Sequence, residues 1–63
     1  EFSEREMDLL RLTADGYTNA ETAEKLSMSR RTVEGMRKGL IERTHTKNTA
    51  ALIQFAFRNG LLK

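Results

Sequence analysis

The sequence predicts an all-α domain of four short helices, and three observations carry that expectation. Proline is absent from all 63 residues. Apolar residues recur at three- and four-residue spacing, and no segment sustains the period-two alternation of a strand. N-cap signatures precede each apolar run, and glycines follow the first and the last.

The first helix is expected from about residue 4 to 15. Ser3-Glu4-Arg5-Glu6 has the form of a capping box, in which serine and glutamate each satisfy an orphan backbone amide. Phe2 ahead of it is placed to staple onto Met7, one position beyond the usual partner. Leu9, Leu10, Leu12 and Ala14 supply the apolar side, and Gly16 a left-handed stop. Thr18-Asn19-Ala20-Glu21 repeats the box and opens a short segment to Leu26, with Ala20, Ala23 and Leu26 at helical spacing. Ser27-Met28-Ser29 then makes a tight connection, and Ser29 suits the N-cap of a third helix over 30–44.

That third helix sets Val33, Met36, Leu40 and Ile41 on one face, with Arg30, Arg31, Glu34, Lys38 and Glu42 toward the other. It also carries Gly35 and Gly39, each costing about 1 kcal/mol against alanine in a helix interior. Gly35 is expected to leave room for close approach of a partner, Gly39 to relieve crowding beside the body of the domain. Asn48 caps a fourth helix from Thr49 to about Asn59, closed by Gly60 and followed by Leu61 and Leu62. Within it, Leu52, Phe55 and Ala56 best suit the core. Ala50, Ile53 and Phe57 form a second apolar face without an obvious internal partner, which suggests an interface.

Composition bounds the function. A chain this short is one domain at most, residues 1–63, and is expected to be a piece of a longer chain; it buries only about 60 % of its unfolded surface, so stability on the order of 5 kcal/mol is expected. With no cysteine, neither disulfides nor a cysteine-based zinc site is available, and the composition fits a reducing cytoplasm. No apolar stretch approaches the roughly 18 residues of a membrane span, and no signal peptide is evident. His45 stands alone, without the clustered ligands that a metal needs. No nucleophile–base pairing or phosphate-cradling loop supports an enzyme, and no cofactor is implied. The net charge of +2 hides an asymmetry: residues 1–24 sum to −5 and residues 25–63 to +7. A polyanionic partner for the second half follows naturally.

A short helix, a three-residue turn and a longer basic helix make the helix-turn-helix plan. Its second helix must keep an apolar inner face and offer an outer face to a major groove about 12 Å wide. The residues that fill the plan resemble a known family. "FSERE", Gly16-Tyr17-Thr18-Asn19-Ala20-Glu21, Ala23-Glu24-Lys25-Leu26, Ser29-Arg30-Arg31-Thr32-Val33-Glu34, Lys47-Asn48-Thr49-Ala50 and the close Ala56-Phe57-Arg58-Asn59-Gly60-Leu61-Leu62 are similar to the LuxR-type helix-turn-helix domain. That is the C-terminal output domain of FixJ/NarL-like response regulators of two-component systems and of quorum-sensing regulators, so the chain is expected to be the C-terminal part of a longer regulator. The chain departs from the pattern at Thr13, Thr22, Met36 and Thr44-His45, where the family favours Leu, Ile or Val, His, and Leu-Gly. His45 is then expected in a left-handed cap.

The resemblance implies sequence-specific binding of double-stranded DNA for transcriptional control, usually as a dimer, with the third helix in the major groove. RNA polymerase is a candidate further partner. Base-reading roles fall on Glu34, Gly35 and Lys38, lysine donating to guanine and glutamate accepting from cytosine N4. The plainer alternative pairs Glu34 with Lys38 one turn away. Thr18, Arg30, Arg31, Thr32, Arg37 and Lys47 are candidates for phosphate contacts, and Ala50, Ile53 and Phe57 for pairing two copies on DNA. The rival from another class is a small helical protein-interaction module, which needs no basic stripe along one helix.

Overall fold

The computed structural model describes residues 2–63. Four helices follow in order: α1 (Glu4–Ala14), α2 (Asn19–Leu26), α3 (Arg30–Thr44) and α4 (Thr49–Arg58). No strand is present among the described residues. Each helix begins where a side chain takes an orphan amide. Ser3 and Glu6 exchange hydrogen bonds of 3.1 and 2.8 Å, and Thr18 and Glu21 do the same at 3.1 and 2.9 Å. Ser29 accepts from the Thr32 amide, and Asn48 from that of Ala51. Such caps are each worth about 1 kcal/mol, a large share of the stability of so small a domain.

The helix ends depend on left-handed residues. Gly16 and Gly60 have φ of +96° and +73°, and His45 takes φ +58° as the C-cap of α3. Ser27 is also left-handed, at φ +56°, and turns the chain so that the Met28 amide reaches the Ala23 carbonyl at 2.8 Å. α1 stops at Ala14 with Asp15 as its cap, and α4 at Arg58 with Asn59 as its cap, one residue short of expectation in each case.

The core is a cluster of Leu9, Leu10, Ala23, Val33, Leu40, Leu52, Ala56 and Leu62, with Met7, Met28, Met36, Ile41, Ile53 and Leu61 packed against it. Some expectations are corrected here. Ala14 and Ala20 face solvent, and Leu12 is half-buried. In their place, Thr22 is fully buried, and its hydroxyl lacks a hydrogen-bond partner among the described residues. On α4, Phe55 is half-buried and outside the cluster, whereas Ile53 packs against it. Phe2 and Met7 both pack at the core's edge, and the Arg43 guanidinium lies over the Phe2 ring at 4.8 Å.

Arginines supply directional ties between helices. Arg5 donates to the Leu26 carbonyl at 2.9 Å, joining α1 to the end of α2. Arg43, in the last turn of α3, grips both oxygens of Glu6 on α1 at 3.2 and 2.9 Å. Together with the tight α2–α3 turn, these contacts fix how α3 stands against the body.

Candidate nucleic-acid interface

At about 100° per residue, α3 divides cleanly. Val33 and Leu40 are buried, and Met36 and Ile41 pack at the core's margin. The line farthest from them is Arg31, Gly35, Lys38 and Glu42, spaced i, i+4, i+7, i+11, with Glu34 and Gly39 on its flanks; all six are exposed. The fold therefore presents the expected base-reading set together on one face of one rigid helix.

Within that face the groups differ in freedom. Arg30 Nε donates to Glu34 Oε2 at 3.2 Å, an exposed pair one turn apart worth about 0.3–0.5 kcal/mol. The carboxylate thus pairs toward the N-terminus, not with Lys38. Among the described residues no side chain or backbone group holds the Lys38 ammonium. The glycines open the surface beside it. A Cβ built on Gly35 or Gly39 would meet nothing within 4 Å. For Gly39 this corrects the expectation of crowding against the body of the domain. Neither glycine is demanded by the folded chain.

The phosphate-binding candidates separate into two groups. Arg31 and Lys47 are exposed, the latter in the turn between α3 and α4. Thr18 and Thr32 are exposed at helix N-termini, where free amides and the helix dipole favour anions. The Thr18 oxygen accepts from the Glu21 amide, and the Thr32 hydroxyl lies 2.8 Å from that of Ser29. Arg37 is placed differently. Its guanidinium is half-buried between α1 and α4, where it reaches the hydroxyls of Thr13 and Thr49, both at the long distance of 3.5 Å. Its Nε is buried without a partner among the described residues. Burial lowers its pKa, opposed by the charge of Glu34, yet a guanidinium stays protonated under any physiological condition. The signal was present in the sequence: position 37 falls i+4 from Val33 and i−3 from Leu40, inside the core stripe.

On α4, Ala50 and Phe57 are exposed and Ile53 half-buried. They line one open groove with Lys47, Asn48, Ala51 and Gln54. Phe57, 46 % exposed, is the most exposed large hydrophobic residue among those described. Ile53 divides its surface between this groove and the core, which the apolar spacing alone did not reveal. Among the described residues no group of three or more His, Cys, Asp or Glu side chains is placed to hold a metal ion, and no helix is long and apolar enough to cross a membrane.

A helix fixed by its inner face, capped at its start, following a tight turn and carrying cations outward is the arrangement of a helix-turn-helix DNA-binding domain of a regulatory protein. Comparison with known proteins gives the particular family. The chain belongs to the luxR family of bacterial regulatory proteins, whose sequence profile matches residues 1–56. It is 38 % identical over 60 residues to the oxygen regulatory protein NreC of Staphylococcus carnosus, covering 95 % of this chain. It is 40 % identical over 58 residues, 92 % of the chain, to the probable transcriptional regulator ycf29 of Porphyra purpurea. NreC of Staphylococcus aureus strain JH9 is 38 % identical over 61 residues, 97 % of the chain. The chain spans 28 % of the length of each of these relatives.

Proposed function

We propose that this chain is the DNA-binding output module of a larger transcriptional regulator, with α3 lying in the major groove. Lys38 donates to guanine, Glu34 accepts from an exocyclic amine such as cytosine N4, and Gly35 lets the helix backbone approach the groove wall. Arg31 and Lys47, with the hydroxyls of Thr18 and Thr32, contact phosphates and set the register. The observation that carries this reading is the outer face of α3. It holds a lysine with no partner among the described residues beside two glycines whose outward side is open, although a helix gains stability by replacing such glycines. The relatives' printed roles, an oxygen regulatory protein and a probable transcriptional regulator, agree with it.

Two copies pair on DNA through α4, with Phe57 and Ala50 at the contact and the outer edge of Ile53 beside them. A two-fold arrangement of this kind directs two recognition helices to the half-sites of an inverted repeat. The patch is small, so pairing is expected on DNA and not in dilute solution.

The test is titration with duplex DNA across a range of salt concentrations. Log K should fall linearly with log salt, by about 0.9 per phosphate neutralised. Lys38→Ala should cost about 1–3 kcal/mol on the preferred duplex and much less on random duplex. A slope near zero for the parent chain refutes the proposal.

A further inference from the structure

We infer that Arg30 is a positioning residue for base reading by Glu34, and not a further contact to the phosphate backbone; the inference rests on the reading that α3 occupies the groove. Arg30 and Glu34 are joined at 3.2 Å across one turn of α3, with side chains 70 % and 49 % exposed. Both stand at the end of the helix that, in helix-turn-helix proteins, meets base edges.

Glu34 is an acid in an unfavourable place for one. The duplex carries a negative charge every 1.7 Å or so along its axis, and a free carboxylate brought into its groove is repelled. Pairing removes that penalty. The guanidinium cancels the carboxylate's charge and fixes Oε2, while Oε1 has no partner among the described residues. One oxygen held and one open is the state needed to accept a hydrogen bond from a base amine.

Four cations lie within one turn of Glu34, at positions 30, 31, 37 and 38, and among the described residues only Arg30 is bonded to it. Arg37 feels its charge but is committed to Thr13 and Thr49 between the helices. Lys38 lies one turn, about 6 Å, farther along the helix. A glutamate preceding a lysine by four residues is the favoured order for pairing on an isolated helix. Even so, the bond goes to Arg30. The consequence is that the Lys38 ammonium stays available for guanine, while Arg30 is occupied. Arginine suits this role because its planar fork holds a carboxylate in one orientation, whereas a lysine ammonium does not.

The charge balance makes the inference testable. A guanidinium already neutralised by Glu34 adds nothing to counterion release, whereas one on a phosphate adds a full contact. The experiment uses the 63-residue chain, the duplex it selects from a randomised library, and single-base variants of that duplex. Arg30→Ala and Glu34→Ala should each lower discrimination at the same base pair by about ten-fold. The double variant should lose no more than either single one. Arg30→Ala alone bares the Glu34 carboxylate and should weaken random duplex as well, whereas the double variant, which removes both charges, should keep the parent's salt slope; Arg30→Lys should restore discrimination only in part. Glu34→Ala should instead steepen the slope, because it releases Arg30 to a phosphate. Circular dichroism confirms folding, which substitution of either exposed side chain should not disturb. If the double variant's slope falls below the parent's by about 0.9, Arg30 is a phosphate contact and the inference falls. Intact discrimination in Arg30→Ala overturns it equally. A parent chain with neither sequence preference nor salt dependence overturns the DNA-binding reading itself.

Discussion

Replacing Gly35 by alanine should move stability and DNA binding in opposite directions. Gly35 lies in the interior of α3, it is exposed, and a Cβ there meets nothing within 4 Å. No strain therefore offsets the ordinary gain of alanine over glycine in a helix, about 0.8–1 kcal/mol, which arises mainly from the lost freedom of the unfolded chain. For a domain of this size that gain raises the melting temperature by about 4–8 °C, readily measured by thermal circular dichroism. The added methyl group projects from the face that bears Lys38, so affinity for the selected duplex should fall even as the fold becomes firmer. Gly39→Ala is the control. It is equally open and should stabilise by a similar amount. It lies a turn nearer the helix C-terminus, away from the end that meets base edges, so its effect on binding should be smaller. A stabilised Gly35 variant with unaltered affinity would refute close approach. A destabilised one would refute the open environment from which the magnitude is worked.

Thr22→Val should raise the melting temperature, because the Thr22 hydroxyl is fully buried without a partner among the described residues and such a group costs about 1–3 kcal/mol; a fall would mean that the hydroxyl is satisfied. The pKa of Glu6 is lowered from the ordinary 4.5, first by hydrogen bonds from Arg43 and then by the Ser3 amide. Its contribution is therefore complete above about pH 4.5 and lost as pH falls through the depressed value. Glu6→Gln should flatten the acid limb of denaturant-measured stability, and an unchanged limb would exclude the pair as its source. Phe57→Glu should leave the fold and single half-site binding intact while abolishing cooperative binding to a two-half-site duplex. Ile53→Glu should destabilise the domain as well, since Ile53 packs against the core; surviving cooperativity in the Phe57 variant would place the contact elsewhere.

How much of this could be read from the residues depends on how local the cause is. The four caps at Ser3, Thr18, Ser29 and Asn48 were legible because each is a bond across three residues. The left-handed cap at His45 was legible only through the family resemblance, because His45 stands where the family favours glycine. Ser27 was not: serine has no strong preference for positive φ, and its conformation is imposed by closing the α2–α3 turn. Apolar periodicity alone missed Thr22, because an eight-residue helix has too few apolar positions to fix a register and alanines at 20 and 23 looked equivalent; only the family resemblance marked it, as a position that favours Ile or Val. Leu62 is core but lies beyond Gly60, where helical periodicity no longer says which way a side chain turns. The outer face of α3 was legible as the complement of a clear apolar stripe. Which cation Glu34 chooses was not, because Arg30 and Lys38 are equally distant in sequence and the choice rests on side-chain rotamers.

The same distinction bears on how strongly the domain should respond to salt. The net +7 of residues 25–63 counts nine basic side chains, and read literally it promises a steep dependence. Several of those charges are already engaged within the protein. Arg43 holds Glu6, Arg37 is turned between α1 and α4, Arg30 is paired with Glu34, and Lys25 lies 4.8 Å from the Tyr17 ring. On α3 and in the turn that follows it, Arg31, Lys38 and Lys47 remain turned outward without such ties. If these three alone exchange counterions with the duplex, the slope of log K against log salt is about −2.7 per copy. Each of Arg30, Arg37 and Arg43 that left its internal partner for a phosphate would steepen the slope by about 0.9, to about −3.6 for one and about −5.4 for all three. For Arg43 that partner ties α3 to α1, so binding and stability would then be coupled. Measured on the parent chain and on Arg43→Ala, the slope decides between the two. An unchanged slope in the variant leaves Arg43 to the fold, whereas a drop of about 0.9 assigns it to the duplex.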